Sequence, residues 1–206
     1  MQAAVFWATD AATLTLLGDA CTPRDAAYAA TFDRHEDRLK RRATYGLVRH
    51  ALKITGWAAE TTLLARRDTG QPYLKHTPGL TISLSHASNG VAVGLGLECA
   101  VGVDIEADQE DAVWRDVLPF VTSAKNVSPQ MGLCIWTLSE ACAKSHGLGL
   151  PALEIAHLPL DIKHLQERQR IAWQCLAQRD VRCFNVGQGA LAYAVSPDAK
   201  VISRRV

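Results

Sequence analysis

The sequence predicts an α+β fold, and three observations carry that expectation. Apolar residues recur at steps of three and four over residues 33–55. Strand-like alternation with turn residues between runs governs residues 80–105. A second helical stretch near residue 140 precedes further strand-like runs.

The first helix is expected from Asp33 to Thr55. Leu39, Ala43, Leu47, Ala51 and Ile54 build one apolar face, and Gly56 is a natural stop. Arg38, Arg42, Tyr45 and Arg49 form a second stripe along it. Between Arg34 and Lys53 there are seven Lys or Arg against Glu36 and Asp37, a local excess of five. Gly70-Gln71-Pro72 reads as a turn. Leu80 to Leu84 alternates as a strand, and Ser85-His86-Ala87-Ser88-Asn89-Gly90 breaks it with turn chemistry. Val91 to Leu97 and Val101 to Ile105 read as two more strands, with glycines that imply close backbone packing. The second helix is expected from Leu133 to His146, capped by Gly147. Late strands are expected at Ile171 to Leu176, Val181 to Asn185 and Ala190 to Ser196.

Composition excludes several classes. The chain has 206 residues, 48% hydrophobic, with a formal net charge of +1. That is too apolar and too weakly charged for intrinsic disorder, and too neutral for a general nucleic-acid binder. No run approaches the roughly 18 apolar residues of a membrane span. Met1 to Trp7 lacks a basic region and Asp10 interrupts the apolar stretch, so no secretory leader is expected. The six cysteines form no Cys-x-x-Cys and no zinc-finger spacing, so reduced thiols and a cytoplasmic location are expected.

Two groupings bear on chemistry. Asp104 and Glu106 are two apart on one strand, so their carboxylates point to one side. Their Cα atoms would lie about 7 Å apart, close enough to address one cation, and such a pair suits Mg²⁺ beside a substrate phosphate. A solvated strand end is the plainer alternative. Glu140 and Lys144 stand at i, i+4 on the second helix, as a surface ion pair or as a carboxylate and an ammonium side by side. His86 is open between a turn residue and a ligand. No Gly-x-Ser-x-Gly elbow, P-loop or dinucleotide fingerprint occurs.

These elements follow one order: basic helix, Gly70-Gln71-Pro72, Ser85-His86, Gly102-Val103-Asp104-Ile105-Glu106, Trp136 through Lys144, and Gly147-Leu148-Gly149-Leu150. The order resembles the 4′-phosphopantetheinyl transferases of the large monomeric class, typified by the surfactin-synthetase activator. Members carry a G-K-P turn, a strand ending S-H, a G-[IV]-D-[IV]-E strand and a W-x-x-K-E-[AS]-x-x-K helix. The likeness spans residues 34–195.

The resemblance implies transfer of the 4′-phosphopantetheine arm of coenzyme A to a serine of an apo acyl, peptidyl or aryl carrier protein, releasing adenosine 3′,5′-bisphosphate. It implies Mg²⁺, or Mn²⁺, on Asp104, Glu106 and Glu140. Glu140 is then also a candidate base, and Lys144 a phosphate-binding catalytic cation. Ser85 and His86 would meet coenzyme A phosphates, Gly70, Gln71 and Pro72 would border the adenine, and Arg38, Arg42 and Arg49 would supply positive charge. Two similar α/β subdomains related by a pseudo-twofold are implied, residues 1–100 and 101–206, with the active site in their cleft and a monomeric chain.

Two positions depart from the pattern. Ser139 stands where the family has lysine, and Gln71 replaces the lysine of G-K-P. Both remove a cation, which predicts weaker coenzyme A binding and motivates an alternative reading as a non-catalytic binder of coenzyme A or a carrier domain. Arg41 reads as a solvated residue. The segment Val117 to Gln130 is short on charge where a carrier-contacting element is expected. Another metal-dependent phosphodiesterase is a third reading, disfavoured because the sequence has no further His-Asp cluster.

Overall fold

The computed structural model describes residues 1–108, 116, 127–147, 173–175, 179–186 and 189–206, and side chains 173–175 are outside that description. Helices and sheets are both present, in the order β1 (Gln2–Ala8), α1 (Ala11–Asp19), α2 (Pro23–Ala29), α3 (His35–Thr55), β2 (Leu64–Arg66), β3 (Pro72–Leu74), β4 (Leu80–Ala87), β5 (Gly90–Leu97), β6 (Val101–Ala107), α4 (Pro129–Ser145), β7 (Trp173–Cys175), β8 (Arg179–Asn185), β9 (Gly189–Val195) and β10 (Lys200–Arg205).

Two four-stranded sheets organise these elements. One runs β10-β1-β5-β4, the other β6-β9-β8-β7, and β2 and β3 form a separate hairpin. All pairings are antiparallel except β1 with β10, which is parallel. Strand alternation gives each sheet two faces. Val91, Val93 and Leu95 of β5 join Leu47, Val48, Ala51 and Leu52 of α3 in one core. Ala3, Val5 and Ala92, from the opposite face, join Val101, Val103, Ile105, Leu191 and Tyr193 in a second. Leu138, Ala141 and Cys142 of α4 close a third over Val181, Ala190, Ala192 and Ala194. The order of layers is therefore helix α3, first sheet, second sheet, helix α4.

Local sequence accounts for the element ends. Asp10 accepts the Thr13 backbone N–H at 2.8 Å and starts α1. Thr22 and Asp25 form a capping box around Pro23 at the head of α2. Gly56 ends α3 in the left-handed conformation, φ 66°. Ser128 caps α4 with Pro129 in its first turn, so this helix begins four residues before the expected Leu133.

Two expectations are corrected here. Ser85 and His86 are not turn residues: β4 continues to Ala87, and the reversal is confined to Ser88 and Asn89. The boundary at residue 100 is crossed by β10, which belongs to the N-terminal sheet. The Gly147–Leu150 segment beyond Gly147, and most of Val117–Gln130, lie outside the described residues. Among the described residues, no helix is long and apolar enough to cross a membrane.

Candidate active site

β6 is the element on which the site is built. Its alternation sends Val101, Val103 and Ile105 into the core between the sheets and leaves Gly102, Asp104 and Glu106 on the side of α4. Gly102 has no alternative there: a Cβ would run into the Ala141 carbonyl and within 2.5 Å of the Ser145 backbone nitrogen. That close approach brings Glu140 and Lys144 of α4 alongside Asp104 and Glu106. The free edge of β6 meets β4, where the Ser83 hydroxyl accepts the Val103 N–H at 3.0 Å.

A cavity of about 400 Å³ opens at this junction, lined by Arg41, Thr44, Tyr45, Arg66, Pro72, Leu84, Ser85, His86, Asp104, Glu106, Trp136, Glu140 and Lys144. Asp104, 2% exposed, is its anchor. Its Oδ1 accepts from the Ser85 hydroxyl at 2.7 Å and from the Lys144 ammonium at 2.5 Å, and Lys144 also reaches Ser85 Oγ at 3.2 Å. Lys144 therefore pairs with Asp104 and makes no ion pair with Glu140, its neighbour one turn back. The Trp136 indole N–H donates to Glu106 Oε1 at 3.2 Å.

Electrostatics in the cavity follow from crowding. Burial, with Asp104 and then Glu140 adding to it, pushes the Glu106 carboxyl up to about 7, against the pull of the Trp136 hydrogen bond and Lys144. Burial also raises Glu140, and Lys144 opposes it. His86 is pushed down to about 4, first by burial and then by Arg41 and Lys144. Its imidazole is neutral at pH 7.

Among the described residues, no three His, Cys, Asp or Glu side chains converge closely enough, as they stand, to hold a metal ion. The donor chemistry nonetheless fits a hard divalent cation. Three carboxylates face one cavity, and Asp104 Oδ2 and Glu140 Oε1 are buried with no hydrogen-bond partner among the described residues.

Compared with models of known families and with curated proteins, the chain matches none. The site rests on its own residues.

Of the twelve positions singled out from sequence, Asp104, Glu106, Glu140, Lys144, Ser85, His86 and Pro72 line the cavity together. Gly70, φ 83°, sits at the tip of the β2–β3 hairpin, where its carbonyl accepts from Arg66 at 2.7 Å. The Gln71 side chain lies against Gly147. Neither lines the cavity.

The three arginines chosen from the stripe on α3 are placed elsewhere. Arg38 donates to the carbonyls of Phe32 and Asp33, each at 2.9 Å. Arg42 turns toward α1 and stands 3.6 Å from Asp19. Arg49 is buried and fully engaged, making three hydrogen bonds to the Asp25 carboxylate and donating to the carbonyls of Glu60 and Thr62. Its part is to staple α2 and the 60–62 segment onto α3.

The arginines that do face the cavity are Arg41 and Arg66. Arg41, expected to be solvated, stacks over the Phe32 ring at 3.6 Å and lines the cavity with Thr44 and Tyr45. The spacing 41, 44, 45 marks an adjacent face that shares Tyr45 with the stripe of Arg38, Arg42 and Arg49. Ser139 is also re-read. It is fully buried, and its hydroxyl returns to the Ile135 carbonyl at 2.8 Å. That position faces the core, so the serine removes no charge from the cavity.

Proposed function

We propose that this protein transfers the 4′-phosphopantetheine arm of coenzyme A to a serine hydroxyl of an apo carrier protein. The observation that carries the reading is one cavity with opposite character on its two sides. Arg41 and Arg66 come from the N-terminal elements, with the neutral His86 beside them, and Asp104, Glu106, Glu140 and Lys144 come from β6 and α4. A pyrophosphate ester needs both: cations for its oxygens and carboxylates for a cation and a proton.

Arg41 and Arg66 would hold phosphate charge and orient the nucleotide. Lys144 would turn from Asp104 toward the bridging pyrophosphate and stabilise charge on the departing bisphosphate. Mg²⁺ or Mn²⁺ held by Asp104, Glu106 and Glu140 would neutralise phosphate oxygens. The carrier serine oxygen bonds to the phosphorus that bears the pantetheine arm, the bond from that phosphorus to adenosine 3′,5′-bisphosphate breaks, and the serine proton passes to Glu140. Burial raises Glu140 toward the pH at which a carboxylate accepts a proton effectively.

Part of the same reading is a pseudo-twofold between two α/β halves, each a four-stranded sheet with one long helix on its outer face. A monomeric protein of the cytoplasm belongs to it as well, because one chain supplies both sides of the cavity. A binding-only relative is the second reading. The observation that favours it is that Lys144 already pairs with the Asp104 carboxylate that a metal would share.

The deciding experiment is intact-mass analysis of several apo carrier domains incubated with the protein, coenzyme A and Mg²⁺. A phosphopantetheinyl mass gain, absent with Glu140→Ala, is expected. Coenzyme A binding with no gain on any carrier would favour the second reading.

A further inference from the structure

A second cavity, of about 220 Å³, shares Tyr45 and Arg66 with the first. Its other walls carry Arg24 and Asp25 of α2 and Lys75, just beyond β3. Nothing in the chemistry above uses Arg24 or Lys75. A site for a whole small-molecule ligand runs to roughly 300–1,000 Å³, so this one suits a small ion or one group of a larger molecule.

Charge in this cavity is one-sided. Asp25 is the one carboxylate among its described lining residues, and Arg49 already holds it with three hydrogen bonds. Arg24, Arg66 and Lys75 are left over: among the described residues, none of them makes an ion pair. Tyr45 supplies a second, independent sign. It is 2% exposed, and its hydroxyl is buried with no hydrogen-bond partner among the described residues. A buried hydroxyl left unpaired costs stability, and phenylalanine would avoid that cost. A ligand that accepts from the hydroxyl accounts for the tyrosine.

We propose that the second cavity is a phosphate site, additional to the phosphate contacts assigned to the first. A phosphate monoester carries a charge of about −1.5 to −2 at pH 7 and presents three acceptor oxygens. Arg24, Arg66 and Lys75 match that charge, where a carboxylate would leave two cations unmatched. The Tyr45 hydroxyl donates to one of the oxygens. Arg66 and Tyr45 belong to both walls, so an anion here draws on the same guanidinium as an anion in the first cavity. The inference does not rest on the transfer reading.

The test is a phosphorus NMR titration of the whole protein with inorganic phosphate, in metal-free buffer at fixed pH and ionic strength. Saturable binding to the wild type is expected. Arg24→Ala and Lys75→Met, which line this cavity and not the first, should each weaken it roughly 10–100-fold, the worth of a charged hydrogen bond. Tyr45→Phe should also weaken it, yet melt no lower than the wild type, because its hydroxyl has no partner to lose. Coenzyme A then separates two sources of the phosphate. Retention of inorganic phosphate beside bound coenzyme A assigns the pocket to the free ion. Displacement by coenzyme A, but not by its analogue without the monoester phosphate, assigns it to that group. Phosphate binding without any coenzyme A binding would leave this proposal standing and overturn the transfer reading. No saturable binding, or binding unchanged in both Arg24→Ala and Lys75→Met, would overturn the proposal.

Discussion

The role of each arginine on α3 is decided by where its guanidinium ends, and this yields opposite expectations for two residues of the same helix. Arg49→Ala would leave Asp25, 5% exposed, without its partner and strip donors from two carbonyls. Losing half of a buried pair costs about 3–5 kcal/mol, so the variant should melt far below the parent. Arg41→Gln loses a stacking contact worth about 1 kcal/mol at most and should fold normally. On the proposed function, its dissociation constant for coenzyme A should rise roughly 10–100-fold, the worth of a charged hydrogen bond. Calorimetric titration and thermal melts of the two variants check both statements.

At the same scale, Glu106 and His86 shape the pH response in opposite senses. Glu106 titrates near 7 in the fold against an ordinary 4.5, so its contribution is full below 4.5 and is lost as pH rises to about 7. His86 titrates near 4 against 6.5, so its contribution is full above 6.5 and is lost as pH falls to about 4. Each amounts to at most about 3 kcal/mol. The two cancel between pH 4.5 and 6.5. In metal-free buffer, the unfolding free energy should rise more steeply with pH in that range for Glu106→Gln than for the wild type, and less steeply for His86→Gln.

Elements show what the sequence could and could not convey. Helix α3 and strands β5, β6, β8 and β9 were legible because their periodicity is written over seven or more residues. The acidic pair was legible because strand alternation alone sets its direction. Strand β1 was missed: Ala3 to Phe6 are all buried, between the α3 core and the inter-sheet core, so the run carries no alternation to read. The choice among α3 arginines failed because a 3.6-residue period leaves adjacent stripes equally regular, and only packing against α1 and α2 selects between them. Ser139 was judged by its place in a motif, but its helix face is set by Ile135 and Leu138, both fully buried. Ser139→Lys should therefore destabilise the protein by several kcal/mol, through a buried unpaired ammonium, instead of strengthening coenzyme A binding. Gly102→Ala should lower the melting temperature as strongly, because α4 must lift from β6. Denaturant titration of either variant tests the packing of this helix.

For the whole molecule, the apolar layer between the sheets matters most. Val5 and Ala92 from one sheet and Val103, Ile105 and Tyr193 from the other share a single core. Such sharing makes the halves thermodynamically inseparable. Calorimetry should show one transition whose calorimetric and van't Hoff enthalpies agree; two resolved transitions would mean that the halves unfold alone. Ile105→Ala, at a position 1% exposed, should lower stability by about 2–5 kcal/mol and keep that single transition.

The parallel pairing of β1 with β10 has a consequence for synthesis. Gln2 pairs with Lys200, so the strand that flanks β1 leaves the ribosome nearly two hundred residues after it. Until then the nascent chain carries an unpaired β1 edge, the feature by which one chain recruits another. Closing so long a loop also slows the final step. Crowded polysomes making this protein are where aggregation should begin, and a chaperone that covers β1 would act there.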